Sequence, residues 1–310
     1  MKEVNFSSNN FIKSYQYYAF PLGVLAYDDY NYNKWMLGKF INIYCDEVLQ
    51  FDELSYDDWD IINDQLYKNL NIDTFKSIII NSIDNNQAVH LWEINEKYIP
   101  NTNAYKKYDC AHDLLVLGYD EYNNLLIINY NKNRQLLPQI IPFDCLQNSF
   151  TQYTEGRSFN FIKENIQITS CDNIIDKINH YINPIRKNEL KYYNNERNFY
   201  NHSVVGISAL EKFSEKLKLD FNNIDYLNSL CLLDEHVLSM LNNLLYLCNK
   251  KIISSSIAKD YANISKLSNL SKLQFLKNLS KQSTQLEYDI LINIQRIIHQ
   301  ESLILNRIFK

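Results

Sequence analysis

"YDCAHDLLVLGYDEYNNLLIINYN", Tyr108 to Asn131, is the stretch on which the fold turns. Its two apolar runs, "DLLVLGY" and "LLIINY", are bounded by Asn, Asp and Gly, the pattern of short buried strands. Between them "DEYNN" supplies turn residues, so the pair reads as a hairpin. His112 stands at the open end of the first strand, and Asn129 follows seventeen positions later on the second. A carboxamide there can accept from the imidazole N–H and fix its tautomer, leaving the other ring nitrogen to face a nucleophile. The competing reading is a structural histidine beside a strand.

Outward from the hairpin, "QAVHLWEI" reads as a strand before it and "QLLPQIIPF", Gln135 to Phe143, as an extended piece after it, since each Pro biases its predecessor away from helix. Towards the N-terminus, Ser14 to Tyr27 carries Tyr17, Phe20, Val24 and Tyr27 at helical spacing, with Pro21 inside. Trp35 to Cys45 and "SYDDWDIINDQLYKNL", from Ser55, read as two further helices, the latter opening on an N-cap side chain and acidic residues. After about Gln152 the strands give way to helical patterns, the last with Ile290, Ile294, Ile297, Ile304 and Ile308 on one stripe. The expectation is an α+β domain over 1–152 and an all-α helical domain over 153–310, divided near the polar stretch Thr151 to Asn160.

A net charge of -5 and a pI near 5.7 argue against a phosphate-binding surface, so nucleic acid is not an expected partner. No apolar run approaches the ~20 residues of a bilayer span, and no signal-peptide pattern opens the chain. The expectation is a cytoplasmic protein with no membrane partner. Six scattered cysteines without a CxxC pair read as reduced thiols. Cys110 and His112 share a face in an extended segment, yet His90, His180, His202, His236 and His299 show no short spacing that would complete a metal site, so no metal is expected. Cys45 lies beside Asp46 and Glu47, whose charges raise a thiol pKa, and reads as core packing. Glu301, on the apolar stripe of the last helix, and Asp234-Glu235-His236 are further polar groups on apolar helices.

Tyr98-Ile99-Pro100, Tyr105-Lys106, His112-Asp113 and Gly118-Tyr119-Asp120 follow one another between Trp92 and Tyr130, and helices carrying Asp234-Glu235-His236 come after them. In this order and spacing the chain resembles the butirosin biosynthesis protein H N-terminal-like family, relatives of double-glycine leader peptidases within the papain-like superfamily. The resemblance implies a papain-like N-terminal domain and acyl transfer in specialised-metabolite, including antibiotic, biosynthesis. A cysteine at the N-terminus of the first helix would attack a thioester on an acyl or peptidyl carrier protein, and a small amine would take the acyl group as an amide. His112 would be the general base and Asn129 would orient it. No cofactor is implied beyond the phosphopantetheine arm of the carrier.

The chain departs from that pattern at the nucleophile. No cysteine precedes Cys45, and the expected thiol position falls near Ser14-Tyr15-Gln16, with Ser14 taken as its equivalent. Ser14 is a serine nucleophile, or the covalent step is lost and the pocket kept, or a cysteine has been replaced there. Beside the same imidazole a serine is much the poorer nucleophile, because no ion pair pre-forms. The expected function is an amide-forming acyltransferase; the alternatives are an inactive homologue that binds a metabolite or partner enzyme and, third, a cysteine-type peptidase.

Overall fold

A computed structural model describes residues 1–52, 61–67, 71–133, 135–150, 157–163, 173–184 and 204–310. In chain order, β1 is Lys2–Glu3, α1 Gln16–Leu25, α2 Asp29–Met36, β2 Ile43–Cys45, β3 Leu49–Phe51 and β4 Ile62–Tyr67. Then come α3 Ile72–Asp84, β5 Gln87–Asn95, β6 Ala111–Tyr119, β7 Asn124–Tyr130, β8 Leu136–Pro142, α4 Phe143–Phe150 and β9 Arg157–Lys163. The remainder is α5 Ile174–Ile182, β10 Val204–Val205, α6 Ile207–Leu219, α7 Asp225–Asn249, α8 Ser255–Lys281 and α9 Thr284–Leu305. The architecture is mixed α/β, with a curled N-terminal sheet and C-terminal helices.

Two compact units share the chain, and they interleave. The first comprises residues 1–10, 15–33 and 54–168; the second comprises 11–14, 34–53 and 169–310.

The sheet of the first unit runs β4-β9-β5-β6-β7-β8, antiparallel at each pairing, with β1 added to the end of β6. That addition needs a residue without a side chain. A Cβ on Gly118 would stand 2.5 Å from the Lys2 carbonyl oxygen, so the close approach of β1 depends on glycine. Phe20 and Val24 of α1, Phe75, Ile79 and Ile83 of α3, and Phe143 and Leu146 of α4 are buried in one cluster with Val89, Leu91, Leu114, Val116, Ile127 and Ile128 of the sheet. At about 1.5–3 kcal/mol for each such side chain, this cluster is the main term holding helices to sheet. It also fixes where the first turn of α1 and the open end of the β6/β7 hairpin stand.

The second unit is built on α6 to α9, with α5 and a small sheet in the order β10-β2-β3. Leu230, Leu233, Val237 and Met240 of α7, Tyr261, Ile264 and Phe275 of α8, and Ile290, Ile294 and Ile297 of α9 form its buried interior. Ser254 caps α8 by accepting from the Ser256 N–H, and Ser283 caps α9 by accepting from the Leu286 N–H.

Several local readings are corrected. Trp35 to Cys45 is not one helix: α2 stops at Met36, Gly38 and Phe40 take positive φ of 74° and 55°, and Ile43–Cys45 is a strand. Left-handed backbone at two positions terminates any helix there. In the expected helix from Ser55, residues 62–67 are strand β4, paired with β9; 55–60 and 68–70 lie outside the described residues. Strand β9, Arg157–Lys163, also stands beyond the point where strands were expected to end.

Candidate functional site

His112 is the second residue of β6, paired across to Ile94, and Asn129 is the penultimate residue of β7. The hairpin therefore brings both to one end of the sheet. Glu96, unremarked in the sequence reading, joins them. A bulge between Leu91 and Ile94 shifts the register of β5 against β6, with Glu93 at φ 54°, and β5 then ends in a single 3-10 turn, Glu96–Tyr98. Asn95 caps that turn by accepting from the Lys97 N–H at 3.1 Å, and the Glu96 N–H donates to the Cys110 carbonyl at 2.8 Å. The Thr102 hydroxyl lies 3.1 Å from the Glu96 carbonyl. Glu96 is thus held by its backbone before its carboxylate does anything.

That carboxylate is the centre of the arrangement. Glu96 Oε1 lies 3.3 Å from His112 Nδ1, an ion-pair contact rather than a well-formed hydrogen bond, and accepts from Asn129 Nδ2 at 3.0 Å. Asn129 Oδ1 accepts from Gln16 Nε2 at 3.1 Å and from the Tyr130 N–H at 2.7 Å. Gln16 Nε2 also reaches the Asp113 carbonyl at 3.4 Å. Glu96, Asn129 and Gln16 are buried, whereas 42% of the His112 side chain is exposed. With Nδ1 turned to Glu96, Nε2 is the ring nitrogen left to face a ligand. Burial works to lower the His112 pKa, but the adjacent Glu96 carboxylate, the charge of Asp113 and contact with Asn129 outweigh it and hold the imidazole above its ordinary value.

Helix α1 contributes its first residue. Tyr15 is the N-cap, in extended conformation, and Gln16 opens the helix, so the side chain turned towards Asn129 from the helix N-terminus is a carboxamide. Around it Tyr15 and Tyr17 stack at 5.3 Å, Tyr17 and Tyr18 lie 4.3 Å apart, and Tyr17 faces Trp92 at 6.3 Å between ring centroids. Trp92 packs on His90 at 4.7 Å, and His90 Nε2 is 3.4 Å from Asp113 Oδ2.

Ser14 belongs to the second unit. There its buried hydroxyl oxygen faces Glu235 of α7 without a hydrogen bond of normal geometry, and the Lys13 N–H donates to Glu235 Oε1 at 2.6 Å. Burial pushes the Glu235 carboxyl up to about 7, against the pull of Ser14, Lys13 and Lys272. Asp234, the residue before it, accepts from Ser268 at 2.7 Å and pairs with Lys272.

Neither Cys110 nor Cys45 is set up as a thiolate. Cys110 is half-buried, its thiol raised by desolvation and then by the Glu96 charge; its N–H donates to Asn95 Oδ1 at 3.3 Å. Cys45 is fully buried on β2, its thiol pushed up to about 11 by desolvation, beyond the counter-pull of Lys212 and Lys216. Among the described residues no three His, Cys, Asp or Glu side chains gather as a metal site, and no helix is long and apolar enough to cross a membrane.

What the arrangement can do follows from its parts. It offers one half-exposed imidazole that is readily protonated, a carboxylate behind it, a carboxamide pair that locks both, and an aromatic wall. No family model matches the chain, and no curated protein matches it.

Proposed function

We propose that the first unit is a papain-like domain that keeps the imidazole and carboxamide of an acyl-transfer site but uses them for binding, without a covalent step. The protein is then a catalytically inactive homologue that holds a metabolite, or the acyl-pantetheine arm of a carrier protein, against His112. The observation that carries this is Gln16: the first residue of α1 points a carboxamide at Asn129, where a thiol chemistry would need sulfur. A carboxamide cannot attack a thioester, but it donates and accepts hydrogen bonds. The aromatic residues Tyr15, Tyr17 and Trp92 suit a flat or extended acyl chain.

Acyl transfer with His112 as the base is the second reading, favoured by the support that Glu96 gives His112 as a proton acceptor. Mixing the protein with aryl and alkyl pantetheine thioesters separates the two. The binding reading expects saturable shifts of the His112 ring resonances and no change in intact mass. An acyl adduct on the unaltered chain, lost in Ser14→Ala, would replace it by the transferase reading.

A further inference from the structure

We infer that the core of the second unit contains a binding site for a hard trivalent metal ion, ferric iron foremost, made by Tyr181, His236, Tyr261 and Glu301. The inference rests on this unit alone and is independent of the function proposed for the first. Each of four helices supplies one donor: Tyr181 from α5, His236 from α7, Tyr261 from α8 and Glu301 from α9. They converge on the carboxylate. The Tyr181 hydroxyl donates to Glu301 Oε2 at 2.5 Å, the Tyr261 hydroxyl donates to Oε1, and His236 Nε2 stands 3.5 Å from the same Oε1. All four side chains are fully buried.

Two features set this group apart from a self-sufficient hydrogen-bond network. His236 is aimed at the carboxylate yet makes no hydrogen bond through either ring nitrogen among the described residues, which for a fully buried imidazole leaves polar atoms unsatisfied. Glu301 has no Lys or Arg partner among the described residues, and the His236 ring 3.5 Å away makes no hydrogen bond to it, so the position beside its carboxyl group is open to a cation. A cation placed among the four groups answers both.

The donor set then selects the cation. Three oxygen donors and one imidazole, with no thiolate, favour a hard ion. One carboxylate and two phenolates carry three negative charges, so a trivalent ion makes the loaded site neutral, whereas a divalent ion would leave a net negative charge in the core. Loading exchanges the two phenol protons for two metal–oxygen bonds and releases those protons to solvent, with no change of oxidation state.

The test is to strip the 310-residue chain with a chelator and titrate it with ferric nitrilotriacetate. One equivalent is expected to bind with a visible phenolate-to-iron absorption band, and gallium(III) is expected to raise the thermal midpoint without colour. Tyr181→Phe and Tyr261→Phe should each weaken the band and lower ferric affinity by roughly tenfold or more. The absence of a visible band with folded wild-type protein overturns the proposal and leaves a structural network. So does a band that survives both substitutions, which places the iron elsewhere. Should a variant fail to fold, the wild-type titration decides alone.

Discussion

At His112 two influences oppose one another: burial disfavours the imidazolium, while Glu96, Asp113 and Asn129 favour it and prevail. Glu96→Gln removes the larger favourable part and keeps the size, so the His112 pKa measured by NMR titration should fall relative to the wild type; an unchanged value would mean that Glu96 is not the partner. Because the folded-state value is raised, the stabilisation from this contact is present below the ordinary histidine range and fades as pH rises through the folded pKa. Its size is small, since the ring is half-exposed to solvent. Glu235 is the buried counterpart. Its carboxyl is raised from 4.5 to about 7, so the folded state holds a proton that the unfolded state has released. Stability should therefore decline between these two pH values, by on the order of 3 kcal/mol in all. Glu235→Gln should flatten that decline in thermal melts across the range; an equal slope in the variant would assign the pH dependence to other groups.

Among the elements, α1 is packed directly by the segment that precedes it. Gly23 lies under the Phe6 ring, where a Cβ would overlap the ring carbons, and the Ser7 N–H donates to the Gly23 carbonyl at 2.8 Å. Alanine is the better helix former by ~1 kcal/mol. Gly23→Ala should nonetheless destabilise by about 1–3 kcal/mol, the usual cost of overpacking, in chemical denaturation; a more stable variant would show that Phe6 moves aside freely. The elements legible in the sequence were those whose signal is local. The β6/β7 hairpin carries its own turn, α1 and the long C-terminal helices carry their own period, and the Pro residues of β8 mark extended chain. Helix α3 was equally local, with the Asn71 cap and Phe75, Ile79 and Ile83 at helical spacing, but it went unassigned. Strand β4 reads as helix because its partner, β9, lies far along the chain; β2 pairs with the nearby β3 as well as with β10, and three residues are too few to show a strand period.

On the scale of the whole molecule, the site was only half legible because two of its four residues come to it from outside the hairpin. His112 and Asn129 sit on one hairpin and could be paired by spacing. Glu96 joins them only through the bulge in β5, and Gln16 only because α1 begins one residue after the chain passes from the second unit to the first at Ser14 and Tyr15. Neither event has a sequence signature. Gln16 is accordingly the residue on which the proposed function stands. The most direct measurement is intact-protein mass spectrometry of the wild type, Gln16→Cys and Gln16→Cys with His112→Ala after exposure to acyl pantetheine thioesters. The account predicts no adduct on the wild type, a stable acyl adduct at the introduced thiol, and much slower acylation once the imidazole is gone. Acylation of the wild type at Ser14, or an introduced thiol that stays unreactive while the protein remains folded, would contradict it.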